Sequence, residues 1–157
     1  MKQTKLKTIA VVSACMMGML SSSAQGVMQR TANYHPDGRG FSCVNGNNRY
    51  TRALYGSVDE WRLETSDRPI FAIFKKNNHR NIRFVIKCNG QAFQLDSVEY
   101  CKARYEAGKR EYLMKDKRWG SGVLKLSVLA YPQTEGAVWK FAAENFGKAK
   151  IEIVGMI

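Results

Sequence analysis

The stretch that decides the fold is residues 119–141, WGSGVLKLSVLAYPQTEGAVWKF. Residues 123–131 alternate with a period of two, which is typical of a β-strand and not of a helix. One face of this strand is entirely apolar and the other is mixed; the apolar face carries Leu124, Leu126, Val128 and Ala130. Residues 132–136 form a connection, because proline cannot donate to a ladder and glycine favours a turn. Residues 137–142 resume a strand-like composition, so the stretch predicts two adjacent antiparallel strands at the centre of the fold.

The rest of the chain repeats this pattern in short segments. Asn45–Asn48 and Asn89–Gly90 are strong turn signals, since Asn and Gly tolerate positive φ. Residues 75–80 are polar and basic, which predicts a loop. Further strands are predicted at residues 41–44, 49–55, 61–65, 70–74, 82–88, 92–95, 97–105, 111–114 and 149–154. Many short strands and no convincing helical pattern predict an all-β, antiparallel β-sandwich over residues 41–157.

The N-terminus has the pattern of an export signal. Lys2, Lys5 and Lys7 precede an apolar run at residues 8–20, which is too short to span a bilayer comfortably. Residues 22–24, Ser-Ser-Ala, resemble a signal-peptidase site, so residues 1–24 are predicted to be a signal peptide and residues 25–40 a flexible leader. Lipidation at Cys15, within Val-Ser-Ala-Cys, is the competing interpretation. Either way the protein is predicted to be exported, to the periplasm, the outer surface or the medium, with no transmembrane span.

The charge balance favours acidic partners. The chain has a formal net charge of +12. Removing the three lysines of residues 1–24 leaves +9, because that segment holds no Asp or Glu. Anionic glycans, lipid head groups and nucleic acid are all compatible with such an excess. Export argues against nucleic acid as the physiological partner.

Cysteine usage after the signal is sparse. The chain holds Cys43, Cys88 and Cys101, with no CxxC motif and no Cys/His cluster, so the sequence predicts no metal site and no cofactor. A disulfide between Cys88 and Cys101 and buried free thiols are both open from the sequence.

Several motifs resemble a known family. They are NRYTRALYG at residues 48–56, ETSDRPIFAIF at residues 64–74, and ARY, GSGVL and VLA within residues 99–136. Together they resemble the N-terminal region of a family of large secreted bacterial proteins of unknown function associated with glycan breakdown. Members of that family are similar to glycosidases that combine an N-terminal β-sandwich with a helical α/α toroid. The resemblance begins near residue 49 and implies a supersandwich-like domain, incomplete relative to the whole protein.

The resemblance implies a structural or carbohydrate-contacting module rather than an enzyme. The family's catalytic region would lie further along a longer chain or in a separate helical-toroid chain, so no catalytic residue is assigned here. A small secreted glycan hydrolase is one alternative, and the acids nearest to each other along the chain are Asp59 with Glu60 and Glu64 with Asp67. A basic cell-envelope protein that binds anionic polymer or lipid is the other.

Candidate ligand contacts lie near the opening stretch. Trp119 sits at a loop edge, where its ring could stack on a sugar, and neighbouring cations would give that edge a positive rim. Arg104 could bind a carboxylate or sulfate in bidentate fashion, through two parallel hydrogen bonds from its guanidinium group. Trp61 and Trp139 lie within predicted strands and are expected in the core. The ligand-binding candidates are therefore Trp119, Lys115, Lys117, Arg118 and Arg104, with glycan or acidic polysaccharide as the predicted partner.

Overall fold

The structure, a computed structural model, describes residues 33–56 and 60–157. The predicted signal peptide, the Cys15 lipidation alternative and the first half of the predicted leader lie outside these residues. The described chain forms twelve strands and two short 3-10 turns, at Leu95–Ser97 and Lys117–Trp119. The strands are β1 His35–Asp37, β2 Gly40–Val44, β3 Tyr50–Tyr55, β4 Trp61–Ser66, β5 Ile70–Lys75, β6 Asn78–Cys88, β7 Gln91–Gln94, β8 Tyr100–Glu106, β9 Lys109–Lys115, β10 Val123–Ala130, β11 Ala137–Glu144 and β12 Ile151–Met156.

The strands form two six-stranded antiparallel sheets packed as a sandwich. Sheet 1 has the order β1-β2-β8-β9-β10-β11. Sheet 2 has the order β12-β6-β5-β4-β3, and β7 also pairs with β6. The predicted all-β, antiparallel β-sandwich is therefore confirmed. The described residues contain no helix that is long and apolar enough to cross a membrane.

The stretch at residues 119–141 forms β10 and β11 as predicted. Val128 faces Trp139 across the two strands. Leu124, Leu126 and Val128 are fully buried, whereas Lys125 is exposed, so the apolar face was assigned correctly. The predicted central position is right for β10 but wrong for β11, which is the last strand of sheet 1.

Two segments that the sequence predicts as irregular contain strands. The predicted loop at residues 75–80 is only a two-residue turn, because β5 ends at Lys75 and β6 begins at Asn78. Lys76 takes a positive φ of 50° in this turn. At the end of the predicted leader, His35–Asp37 forms β1, which pairs with β2 at the edge of sheet 1. The ordered sandwich therefore starts earlier in the chain than residue 41.

The core lies between the two sheets and includes all three cysteines of the described residues. Cys88 comes from β6 in sheet 2 and Cys101 from β8 in sheet 1, and both are free, buried thiols, as is Cys43. The structure thus has the free-thiol alternative and not the Cys88–Cys101 disulfide. Burial raises the pKa of the Cys101 thiol to about 12, so this thiol remains protonated at neutral pH.

Candidate functional site

The predicted edge around Trp119 is a packed corner of the sandwich and not a ligand platform. Trp119 is only 4% exposed. Its ring stacks on Phe93 at 5.8 Å between centroids and packs at 5.7 Å against Phe146, and its indole N–H donates to the Gly122 carbonyl at 3.0 Å. A Cβ at Gly122 would lie 2.9 Å from the Phe146 ring, so glycine lets Phe146 close over this corner. The Trp119 ring is therefore unavailable for stacking on a sugar.

Arg118 holds the same corner together. Its Nε and Nη2 donate to the two carboxylate oxygens of Asp116 at 2.7 and 2.6 Å, and its guanidinium lies 3.5 Å from the centre of the Phe93 ring. Nη2 also donates to the Ser97 carbonyl at 3.2 Å. Since Phe93 belongs to sheet 2, Arg118 ties the β9–β10 connection of sheet 1 to the opposite sheet. Its role here is structural.

The acid of this corner is strongly stabilised as a carboxylate. Burial raises the pKa of Asp116, but hydrogen bonds from the Arg118 side chain and from the backbone N–H groups of Arg118 and Glu99 outweigh burial and hold that pKa at about 2. Lys117 is exposed and pairs with Glu99 at 2.6 Å. Lys115 is also exposed and lies near the Tyr100 ring.

Arg104 lies elsewhere, on the solvent-facing side of sheet 1. Strand register places it opposite Glu111 of β9, and Glu111 in turn opposite Ser127 of β10. The neighbouring row runs from Lys102 through Leu113 to Lys125. These two rows surround a cavity of about 230 Å³, which we call the Arg104 groove; it is lined by Lys102, Arg104, Glu111, Tyr112, Leu113, Lys125, Leu126 and Ser127.

A network of ion pairs orients the cations of the Arg104 groove. Arg104 Nη1 lies 2.8 Å from Glu106 and 3.1 Å from Glu111. Lys102 pairs with Asp37 at 2.9 Å, and Lys125 with Glu144 at 2.7 Å. The Lys102 hydrogen bond lowers the pKa of Asp37.

In each of these ion pairs, an anionic group of a ligand can take the place of the protein carboxylate. The Lys102 and Lys125 side chains are 37% and 47% exposed. Such surface pairs contribute little net free energy in water. A carboxylate or sulfate of a ligand can therefore replace a protein carboxylate at low cost.

The sequence singled out Arg104 but missed Lys102 and Lys125. Lys102 lies two residues before Arg104 on β8 and therefore on the same face, whereas Lys125 comes close to Arg104 because β8, β9 and β10 are neighbours in sheet 1. The signal that could have found them is alternation, because both lysines occupy the non-core phase of their strands. Lys117, Arg118 and Trp119 belong to the packed corner and do not line the Arg104 groove.

The sequence also missed a buried charge cluster at Arg110. Arg110 is fully buried, its Nη2 donates to the Ser66 carbonyl at 2.8 Å, and it lies 3.7 Å from Asp67. The guanidinium sits between the rings of Tyr34 and Tyr112, at 5.4 Å from each centroid. The Tyr34 hydroxyl donates to Asp67 and accepts from Arg110. Nε and Nη1 of Arg110 have no hydrogen-bond partner within the described residues.

Glu64 and Asp67 are held by different partners, and Asp59 of the other acid pair considered for hydrolysis lies outside the described residues. Glu64 accepts from Arg62 at 2.7 Å, while Asp67 is buried after β4 and accepts from Thr51 at 2.8 Å. Within residues 33–56 and 60–157, Asp96 is the only Asp or Glu side chain whose carboxylate does not lie within 4.0 Å of a Lys or Arg nitrogen. The same residues contain no group of three or more His, Cys, Asp or Glu side chains that could hold a metal ion.

Comparison with known proteins gives one family match. Residues 78–155, a little under half of the chain, match the model of a family described as "Domain of unknown function (DUF4450)". No curated protein and no solved structure matches the chain. The matched residues run from the start of β6 almost to the end of β12 and contain the whole Arg104 groove. The match agrees with the predicted resemblance to proteins of unknown function, while the association with glycans stays a prediction.

Proposed function

We propose that this sandwich is a non-catalytic module that binds acidic polysaccharide in the Arg104 groove. The observation that carries the proposal is the composition of the groove wall: Lys102, Arg104 and Lys125 provide three cations against the single carboxylate of Glu111. Arginine offers a planar fork for a carboxylate or sulfate, and the lysines add mobile point charges.

The carboxylates of Asp37, Glu106 and Glu144 pair with the cations of the groove wall, but two further lysines nearby have no such partner. Lys115 lies on β9 and Lys140 on β11. No carboxylate of the described residues lies within 4.0 Å of the side-chain nitrogen of either lysine. These two lysines are part of the positive excess of the whole chain, which is +12. A surface of this kind attracts a polyanion before contact and raises the rate of encounter.

The state of the carboxylates supports a binding role over hydrolysis. A glycosidase needs one carboxyl group with a raised pKa to act as an acid, facing a second carboxylate across the scissile bond. Glu106 and Asp37 border the groove, and both have lowered pKa values, chiefly through hydrogen bonds from Arg104 and Lys102 respectively. Catalysis would then lie in a helical toroid, either further along a longer protein or in a separate exported chain, as the sequence resemblance implies.

The experiment is a titration of the purified chain with oligogalacturonate, with neutral dextran as the uncharged comparison and vesicles containing anionic lipid as a third arm. We expect binding to oligogalacturonate that weakens with salt, and no binding to dextran. The double variant Lys102→Ala/Lys125→Ala should bind at least tenfold more weakly, because each lost charge-assisted hydrogen bond contributes about 1.5–3 kcal/mol. The same preparation should release no reducing ends from either polysaccharide.

The matched control is Lys76→Ala/Lys117→Ala. Each of these lysines is exposed and ion-paired, as Lys102 and Lys125 are, but neither lines the groove. Equal weakening by the two double variants would contradict a defined site and favour a diffuse basic surface. Tighter binding to the vesicles than to oligogalacturonate would favour the cell-envelope alternative, and release of reducing ends would favour the small hydrolase.

A further inference from the structure

A second cavity lies at one end of sheet 2, away from the groove strands. It has a volume of about 370 Å³ and lies between the Asn89–Gly90 turn, which joins β6 to β7, and the segment that enters β12. Its wall is formed by Lys87, Cys88, Asn89, Gly90, Lys148, Ala149, Lys150 and Glu152. We call it the Lys148 cavity.

The strand register explains why lysines from distant parts of the chain meet here. β12 pairs antiparallel with β6, with Ile151 opposite Cys88 and Glu152 opposite Lys87. Lys150, the residue just before β12, therefore lies beside the Asn89–Gly90 turn. Lys148 is two residues earlier, in the connection from β11. The chain reversal between β11 and β12 thus brings two lysines to the end of the strand that carries Lys87.

The wall of the Lys148 cavity carries an uncompensated positive charge. Lys87 uses the only carboxylate of the wall, Glu152, at 2.9 Å. No carboxylate in the part of the chain that the structure describes lies within 4.0 Å of the nitrogen of Lys148 or Lys150. Like charges that share one concave site repel each other, and an anion placed between them removes that repulsion.

The size of the cavity limits what this anion can be. A volume of about 370 Å³ falls within the ordinary range for small-molecule sites, roughly 300–1,000 Å³. A sugar ring that carries the charged group fits this space better than a bare inorganic ion does. The Asn89 side chain and the exposed backbone of the turn add neutral hydrogen-bonding groups, which suit hydroxyls.

We propose that the Lys148 cavity is a second subsite for an anionic sugar, with Lys148 and Lys150 as its binding cations. This inference rests on the proposed function and extends it: the module would hold an acidic polysaccharide at two places, one on each sheet. Two linked contacts raise the apparent affinity for a long polymer well above the affinity for a short fragment. The ligand class is therefore a polymer with repeated carboxylate or sulfate groups.

The test compares a short and a long ligand on the full chain. The wild type should bind two molecules of digalacturonate per chain, and the variant Lys148→Ala/Lys150→Ala should bind one. The same variant should lose at least tenfold in affinity for polygalacturonate, while Lys76→Ala/Lys117→Ala, with the same change in charge, should lose less than threefold. A parallel titration with a sulfated disaccharide decides whether carboxylate or sulfate is preferred.

Amide NMR shifts locate the second molecule. Digalacturonate should move the signals of Asn89 and Gly90 in the wild type and in Lys102→Ala/Lys125→Ala, and leave them unmoved in Lys148→Ala/Lys150→Ala. A stoichiometry of one in the wild type, with shifts near Arg104 only, would overturn the second subsite and leave the proposed function intact. If digalacturonate moved neither the signals of Asn89 and Gly90 nor those near Arg104 in the wild type, both proposals would be overturned.

Discussion

Arg110 and Arg104 lie on neighbouring strands of sheet 1, and they show one residue type in two different environments. Arg110 points into the sandwich and its side chain is fully buried, whereas the Arg104 side chain is 23% exposed on the opposite face. Each arginine has a carboxylate nearby, Asp67 for Arg110 and Glu106 for Arg104. The difference is the medium around the pair, because charges removed from water depend on their partners far more than charges at the surface.

The largest expected effect is on the free energy of unfolding, and it distinguishes Arg110 from Arg104. Arg110→Ala should lower the free energy of unfolding by about 3–5 kcal/mol, because it leaves Asp67 buried without its cation. Chemical denaturation at pH 7 measures this change. The double variant Arg110→Met/Asp67→Asn removes both charges and should recover part of the loss. A loss below about 1 kcal/mol in the single variant would show that the buried pair is solvated in a way that the structure does not indicate.

The burial of Arg110 could have been predicted from the alternation of residues along β9. Arg110, Tyr112 and Met114 share the buried phase of β9, so the alternation that identified the apolar face of β10 also places this arginine inside. Trp119 could not be placed in this way. It lies in a turn, and the rings that cover it, Phe93 and Phe146, are far from it along the chain.

The strands were more predictable than the site because they depend on local alternation. Each strand carries its own phase, whereas the Arg104 groove depends on which strands are neighbours and in what register. No local signal sets Lys102 and Lys125 on either side of Leu113. In the same way, the strand-like composition of residues 137–142 was sufficient to predict β11, but it carried no information that β11 would be the last strand of its sheet.

A smaller effect concerns the pH dependence of the Arg118 corner. The pKa of Asp116 is about 2 when folded, compared with about 3.9 in an unfolded chain. A lowered folded-state pKa contributes stability that is fully present above pH 4 and is lost as the pH falls from about 4 to 2. Asp116→Asn should therefore cost about 2 kcal/mol at pH 7.

Denaturant titrations at pH 7, 4 and 2 provide the measurement. The difference in stability between the wild type and Asp116→Asn should shrink steadily as the pH falls. Asp37→Asn is the matched control, because the pKa of Asp37 is also lowered but its pair with Lys102 is exposed to solvent and screened. A gap between wild type and Asp116→Asn that is as wide at pH 2 as at pH 7 would mean that Asp116 stabilises the corner through its shape and not through its charge.

The smallest expected effect on stability belongs to Arg104, and it completes the comparison. Arg104→Ala breaks pairs with Glu106 and Glu111 that water already screens, so the free energy of unfolding should fall by less than about 1 kcal/mol. The same change leaves those two carboxylates beside the groove without their arginine, and the local field turns from attracting an anion to repelling it. Affinity for oligogalacturonate should therefore fall about tenfold or more while the melting temperature barely moves.

Arg104→Lys keeps the charge but loses the planar fork, and its affinity should lie between those of the wild type and Arg104→Ala. If Arg104→Ala destabilised the sandwich as strongly as Arg110→Ala, the exposed arginine would be a structural residue like its buried neighbour, and the groove would lose its assignment as a binding site.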